Sequence, residues 1–571
     1  MKRFRKVLTT ITLSVVLICA STLSAYACTA VYVGSDASDD GTTIIGKSND
    51  YQANWGNYVT ITERVENKEG RTMPVDNDKT VFASIPATTY RYTSTPWFDS
   101  TVKQNGLGQD ATVCTNEYGV AMIMSITSFS NEAALNADPL LEHGLSEFTA
   151  VDLVTCQSKT AREAVEVLAS LIDEYGSSEV NIALIADQSE AWYVEMYNGH
   201  QYAAVKLPSD MVAAFGNEFS LEYVEDYEDC ILSDKLESLA KDNGFAVHDE
   251  NGRLNLLKTY SGDEVVTNYS HMRTWIGHQL LSSSSEYSTY DKDAIYPLMF
   301  KADDKVSLID AFELLRNRFE GTEYSPDETG RTDMRVIGTD TALSVHVVQI
   351  YNNLPADYSC VTWESTGPAV YGVFVPISNG ATSISLPYSL NQGEDQVGVF
   401  DTNNYPYYRF KELNTLGIDS SAYKVYGLPV REYWHSAELN MASTLSEVLS
   451  KASKMDDTNA KEYITNYCNL IQQQAFDDAG VLLNDVVWYM SQNSNTMKNG
   501  RNPETGEAND GVKEIEPLKA TLDASKYNTV PEYEAKQDAT TNNTSIYIVL
   551  GIAAVGIVCV LTYRNKKQAS K

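Results

Sequence analysis

Residues 25–34 read AYACTAVYVG, and the reading of Cys28 within them decides the rest. Upstream, Lys2, Arg3, Arg5 and Lys6 precede an uncharged apolar run over 7–20, and Ala25-Tyr26-Ala27 supplies the small-x-small site that signal peptidase reads. Cleavage after Ala27 makes Cys28 the first residue of an exported chain. A terminal cysteine carries a thiol and a free α-amine in one residue. That amine, with a reference pKa of about 7.7–8.0, can take the thiol proton, so nucleophile and base arrive as one unit and no catalytic histidine is required. Two plainer readings compete. A cysteine at the first position can be lipid-modified, but a lipobox usually has Leu where this chain has Ala25. It can also be a structural residue.

Downstream of the cysteine the pattern is that of strands. Residues 28–34, 42–46 (TTIIG) and 58–62 (YVTIT) are apolar and β-branched, with a turn-rich stretch over 35–41. Residues 116–127 and 181–186 read likewise, and 192–197 is joined to 201–206 by Asn198-Gly199, a strong hairpin signal. Thr160-Ala-Arg-Glu163 is a capping box opening a helix whose apolar face is Ala164, Val165, Leu168, Leu171 and Ile172, closed by Gly176. Alternating strands interleaved with amphipathic helices predict an α+β layered fold, and neither a Gly-x-Gly-x-x-Gly nor a Walker loop argues for a parallel sheet. From about 443 to 491 the pattern is helical, with Tyr463, Tyr467, Leu470 and Ile471 spaced for one face.

The ends carry additions. Residues 492–544 are polar with scattered Pro and Gly and read as a stalk. Residues 545–563 are uncharged, about 28 Å as a helix, enough for one transmembrane span. The basic tail over 564–571, with Arg564, Lys566, Lys567 and Lys571, places that end in the cytoplasm and the bulk of the protein outside, on what reads as a Gram-positive surface. A wall-sorting signal is the competing reading of this end, but no Leu-Pro-x-Thr-Gly precedes residue 545 and the loosely similar Asn502-Pro-Glu-Thr-Gly506 lies far upstream.

The 571 residues hold 77 acids and 43 bases, for a formal charge of −34, which makes nucleic acid a poor partner. Of eight cysteines, Cys19 and Cys559 fall in the terminal apolar segments; the others, Cys28, Cys114, Cys156, Cys230, Cys360 and Cys468, form no Cys-x-x-Cys pair, so neither a zinc site nor a disulfide framework is indicated. The seven histidines contain no His-Glu-x-x-His and read as ordinary polar or partly buried residues. Acidic pairs such as Glu225-Asp226 sit in solvated runs. Ser125 and Thr127 follow an apolar strand and read as strand residues, with pocket lining as the other possibility.

The chain resembles the dipeptidase A family of N-terminal-nucleophile (Ntn) cysteine hydrolases, relatives of choloylglycine hydrolases and penicillin V acylases. Members open with Cys-Thr-x-x-x-Val-Gly, matched by residues 28–34, and continue with Asp-Gly-Ser/Thr-Thr, matched by Asp40-Gly41-Thr42-Thr43. An Arg-x-x-Asp element follows; here it is Lys47-Ser48-Asn49-Asp50, so the aspartate matches and lysine replaces arginine, keeping the charge without the bidentate fork. Similar segments lie at 115–122, 135–139, 161–165, 191–195, 215–219 and 271–275.

The resemblance covers about 28–491 and implies an Ntn αββα sandwich with a C-terminal helical extension. It implies Cys28 as nucleophile, Asp50 beside its amine, Asn217 in the oxyanion hole, Arg273 as a second active-site cation with Lys47, and no cofactor or metal. The implied substrates are dipeptides with a free N-terminus. An acylase of N-acyl amino acids or bile-salt-type conjugates, and a non-enzymatic surface-binding protein with a structural Cys28, are the alternatives.

Overall fold

Side-chain alternation in the first strand, Ala30–Val33, already separates two cores: Val31 and Val33 face one way, Ala30 and Tyr32 the other, and all are buried. The computed structural model describes residues 28–51, 56–98, 110–262, 267–331, 333–393, 398–417, 423–499 and 517–532. The leader read over 1–27 and the apolar and basic segments over 545–571 lie outside them. Among the described residues no helix is long and apolar enough to cross a membrane.

Two antiparallel sheets carry the fold. One has six strands in the order Val212–Phe215, Ala30–Val33, Thr43–Asp50, Ala342–Ile350, Cys360–Thr366, Val375–Ser378. The other has eight, running Cys230–Leu232, Tyr202–Lys206, Ala191–Met196, Asn181–Ala186, Ala121–Ile123, Ala111–Asn116, Tyr92–Pro96, Thr60–Thr62. Between them lies a core with Ala30, Tyr32, Ile45 and Val348 from the first sheet and Ile123, Ile182, Leu184 and Tyr193 from the second. The outer face of the eight-stranded sheet, with Ile185, Trp192 and Val194, packs on the helices Glu147–Thr155 and Ala161–Tyr175. The outer face of the six-stranded sheet, with Val31, Val347 and Trp363, packs on Thr267–Leu281, Leu308–Leu315, Leu428–Ala452 and Asp457–Asn499. Helix, sheet, sheet, helix is the layer order, an α+β sandwich.

Most local patterns form the elements they predict. Thr160 caps its helix through the Glu163 N–H, while the Glu163 carboxylate reaches back to the Lys159 N–H. Residues 116–127 differ from the single strand expected: Asn116 ends one strand, and Ala121–Ile123 begins another after a turn. The cause is Asn116, whose Oδ1 accepts the N–H groups of Tyr118 and Val120, with Gly119 at φ 76° closing the turn. The helical C-terminal region begins earlier than its pattern, at Leu428, and breaks at 453–456, where Asp456 accepts the Asn459 N–H and starts the 43-residue helix Asp457–Asn499.

Residues 517–530 return to this body. Tyr527 is buried, its hydroxyl donating to Asp478 at 2.7 Å and its carbonyl accepting from Thr444 at 3.0 Å, and Leu518 packs into the same core. They fall within the segment read from the sequence as a stalk. The compact unit containing the sandwich ends at Val530.

One charged pair fastens the C-terminal helices to the sandwich. Arg316, at the end of Leu308–Leu315, donates both terminal nitrogens to Glu438, at 2.6 and 3.0 Å, and Glu438 also accepts the Phe374 N–H; both side chains are buried. Breaking a buried pair leaves an uncompensated charge. Glu438→Ala should therefore lower unfolding stability by about 3–5 kcal/mol in urea titrations, while an Arg316→Met/Glu438→Leu double variant recovers much of that loss.

Candidate active site

Cys28 enters the first strand 2% exposed, and its surroundings come from four separate segments. The ladder pairing of Ala30 with Lys47 sets Cys28 across from Asn49, so Cys28, Lys47 and Asn49 share the face turned toward the second sheet. The strand is fixed by Ser48, whose hydroxyl accepts the Thr29 N–H at 3.0 Å.

Arg273, fully buried on the helix Thr267–Leu281, binds the entry to this strand. One terminal nitrogen donates to the Cys28 carbonyl and, at 2.9 Å, to Thr29 Oγ1; the other donates to Asn217 Oδ1 at 2.9 Å and Ser270 Oγ at 3.3 Å; Nε donates to the Tyr269 carbonyl at 2.9 Å. With its oxygen held by Arg273, the Asn217 amide donates one N–H to the Thr127 carbonyl at 2.6 Å and keeps a second for another acceptor. Asn217 reaches this place because Gly216 lets the turn touch the helix, where a Cβ would lie 2.7 Å from the Ser270 carbonyl oxygen.

Lys47 is fully buried, its ammonium donating to the Ser125 carbonyl at 3.1 Å. Burial lowers its pKa, opposed by the facing Cys28, Glu147 and Asp50. Asp50 is pushed up to about 7 by burial, against Arg335, Arg273 and Lys47, and its Oδ1 has no hydrogen-bond partner among the described residues. Burial also pushes the Cys28 thiol up; Lys47 pulls it down, while Asp50 and Glu147 add to the rise. Burial is the largest influence in that balance and favours the protonated thiol.

All five residues expected from the sequence, Cys28, Lys47, Asp50, Asn217 and Arg273, thus meet in one place. Ser125 and Thr127, read as plain strand residues, follow the end of their strand and contact Lys47, Asn217 and Glu147 through Ser125 and Thr127 carbonyls and the Thr127 hydroxyl. Glu147 and Arg335 were not anticipated. Glu147 heads an otherwise ordinary capped helix, and nothing local marks either residue as a neighbour of Cys28.

Six of the histidines contact carboxylates or backbone carbonyls away from the sulfur, for example His143 on Asp76 and His278 on the Thr274 and Pro297 carbonyls. Asp76, Asp78 and His143 bring ligand-type atoms within 4.8 Å of one another, but the Asp76 oxygens already accept from Thr80, Val81 and His143. The six described cysteines are free.

The α+β sandwich thus places a buried cysteine at the head of its first strand, among a lysine, an aspartate, an arginine and an asparagine. Residues 27–435 match the model of peptidase family C69, and the chain belongs to that family. It is similar to probable dipeptidase B of Streptococcus pyogenes serotype M1, 29% identical over 367 residues covering 62% of this chain and 72% of that protein. It is similar also to probable dipeptidase B of Lactococcus lactis subsp. lactis (strain IL1403), 29% identical over 485 residues, or 82% of this chain and 96% of the relative. Among solved structures, a mutant of the conjugated bile acid hydrolase from Clostridium perfringens aligns at TM-score 0.28 and 11% identity, covering 59% of this chain and 89% of the other.

Lys47 is the one cation whose pull on the thiol exceeds that of its other charged neighbours. Lys47→Met should therefore move the pH profile of iodoacetamide labelling at Cys28, followed by peptide mass mapping, to higher pH. A profile unmoved by the substitution would remove Lys47 from the control of the thiol.

Proposed function

We propose that this C69 peptidase is a dipeptidase that works outside the cell, anchored by the apolar segment over 545–563, with Cys28 as its N-terminal nucleophile once residues 1–27 are removed. The observation that carries the reading is the convergence of Lys47, Asp50, Asn217 and Arg273 on a buried Cys28 at the head of the first strand. The dipeptidase descriptions of the relatives support the substrate class, and the cleavage site before Cys28 supports the free amine.

The chemistry follows from the balance at the sulfur. The thiol, kept protonated by burial, attacks the scissile carbonyl as its proton passes to the α-amine of the same residue. Asp50, with an oxygen unclaimed by any described residue, accepts a hydrogen bond from that amine and orients it. Negative charge developing on the carbonyl oxygen is met by the second N–H of Asn217, which Arg273 holds in place. The protonated amine then gives its proton to the departing amino acid, leaving a thioester at Cys28. The amine next takes a proton from water, whose oxygen attacks the thioester carbonyl and releases the second amino acid with the thiol restored.

Mass analysis of the secreted protein should find Cys28 at the mature N-terminus with its amine free. The purified enzyme should hydrolyse dipeptides and leave N-acylated amino acids and bile conjugates intact; the reverse preference would replace this reading with an amidase. Cys28→Ala should lose activity by about 10³-fold or more. Asn217→Ala should lower kcat by about 10²–10³ with a smaller effect on KM. A blocked or different N-terminus on an enzyme that still cuts dipeptides would refute the self-activating nucleophile.

A further inference from the structure

A buried acid on the second sheet grips the turn that carries Asn217. Glu195 lies in the strand Ala191–Met196 of the eight-stranded sheet and is fully buried. Its Oε1 accepts the Ser220 N–H at 2.8 Å, the Leu221 N–H at 3.1 Å and the Tyr193 hydroxyl at 2.5 Å, and its Oε2 accepts the Tyr197 hydroxyl at 2.9 Å. Ser220 and Leu221 close the turn that leaves the strand Val212–Phe215, and Asn217 sits within it. Two ring contacts follow the same path: Tyr193 meets Phe215 with centroids 5.2 Å apart, and Tyr197 meets Phe219 at 4.9 Å.

The near end of the turn is held from the opposite side. The Gly216 N–H donates to Thr274 Oγ1 at 3.1 Å, the Thr274 hydroxyl donates to Glu218, and His271 Nδ1 lies 3.2 Å from the same carboxylate. Thr274 and His271 belong to the helix Thr267–Leu281, which also supplies Arg273. Asn217 is therefore clamped between a helix of the outer layer and a strand of the second sheet. Its two ends are tied to different layers of the sandwich, and Glu195 is the tie to the second sheet.

A carboxylate is a costly choice for this place, since none of its four donors is a cation. Burial pushes its pKa up to about 7, against the Tyr193, Ser220, Leu221 and Tyr197 donors. Its use is as a pure acceptor. Amide and hydroxyl side chains bring donors of their own, whereas a carboxylate offers about four acceptor sites, and the four donors take them, leaving none for a substrate. We propose that Glu195 is a positioning residue: by holding Ser220 and Leu221 it sets where the turn presents the second Asn217 N–H, and so how well that N–H meets the oxyanion. The assignment rests on the role given to Asn217 above. A misplacement of about 1 Å caused at a distance from the chemistry can cost about 10²-fold in rate.

The test is a cycle of Glu195→Gln, Asn217→Ala and the double variant, assayed on alanyl-alanine with folding followed by circular dichroism. In Glu195→Gln, kcat should fall by about 10-fold with little change in KM; it should fall further in Asn217→Ala and no further still in the double variant, because Glu195 acts through Asn217. Iodoacetamide, which alkylates Cys28 without forming an oxyanion, should react with Glu195→Gln at the wild-type rate. Inhibition by alaninal, whose adduct with the sulfur puts an oxygen where the oxyanion forms, should weaken by about the same 10-fold. Should Glu195→Gln not fold, Glu195→Asp, which keeps the charge but draws it back by one methylene, enters the same cycle with the same expected pattern. Unchanged kcat in the folded variant, losses that multiply in the double variant, or alkylation that slows in step with kcat would each overturn the positioning role. A fully active Asn217→Ala enzyme would instead refute the oxyanion reading and take this assignment with it. Wild-type enzyme inert to alanyl-alanine but active on an N-acyl amino acid would overturn the dipeptidase reading alone, and the cycle is then read on that compound.

Discussion

Burial of the Arg273 guanidinium is the constraint on which the site depends. A cation removed from water is tolerated only when its donors are met, and Arg273 meets them with the Cys28 and Tyr269 carbonyls, the Thr29 and Ser270 hydroxyls and the Asn217 amide oxygen. Desolvation brings its pKa down to about 10, still far above neutrality, so the charge persists. One planar group therefore fixes the Cys28 carbonyl, the residue after it, and the orientation of the asparagine proposed for the oxyanion. A lysine, with one point charge on a flexible stem, could not serve these diverging acceptors at once. At position 47 the demand is simpler: one carbonyl to bind and one sulfur to influence. That difference explains why lysine is tolerated where the family pattern has arginine.

The second governing balance sets desolvation against charge. The burial that encloses the Cys28 sulfur also raises its pKa, and Lys47 does not fully reverse this. Acids around it rise too, Asp50 to about 7 and Glu147 above its ordinary value, because the same burial disfavours their charged forms. Such a site suits acyl transfer, where a proton must leave the thiol and later reach the leaving group.

Local signals in the sequence were legible where they were chemical. Asn198-Gly199 turns its hairpin and Thr160 caps its helix, because turn and cap preferences belong to single residues. The break after Asn116 was missed because an apolar run on either side hid a side chain that ties its own backbone into a turn. Residues 517–530 look like linker by composition, yet Leu518 and Tyr527 are enough to hold them against the body. The site divides the same way. Cys28, Lys47 and Asp50 lie within 23 residues and carry a recognisable spacing, whereas Glu147 comes from a helix packed on the other sheet and Arg335 from the segment leading into the strand Ala342–Ile350 that pairs beside Asp50, which no spacing encodes.

The cross-strand row that contains Lys47 bears on which charged groups its ammonium meets. His346 stands opposite Lys47 in the next strand and Glu364 opposite His346, all three fully buried on one face. Burial first, and Lys47 after it, drives the His346 pKa well below its usual value; burial likewise drives Glu364 well above its own, although Asn57 donates to it at 2.7 Å. Both shifts favour the uncharged forms, a neutral imidazole and a protonated carboxyl, which neither compete with Lys47 nor cancel it. Had Glu364 remained ionised, it would pull on the ammonium from the far side and weaken its hold on the thiol. With these row neighbours uncharged, the groups that oppose the fall in the Lys47 pKa among the described residues are Cys28, Glu147 and Asp50.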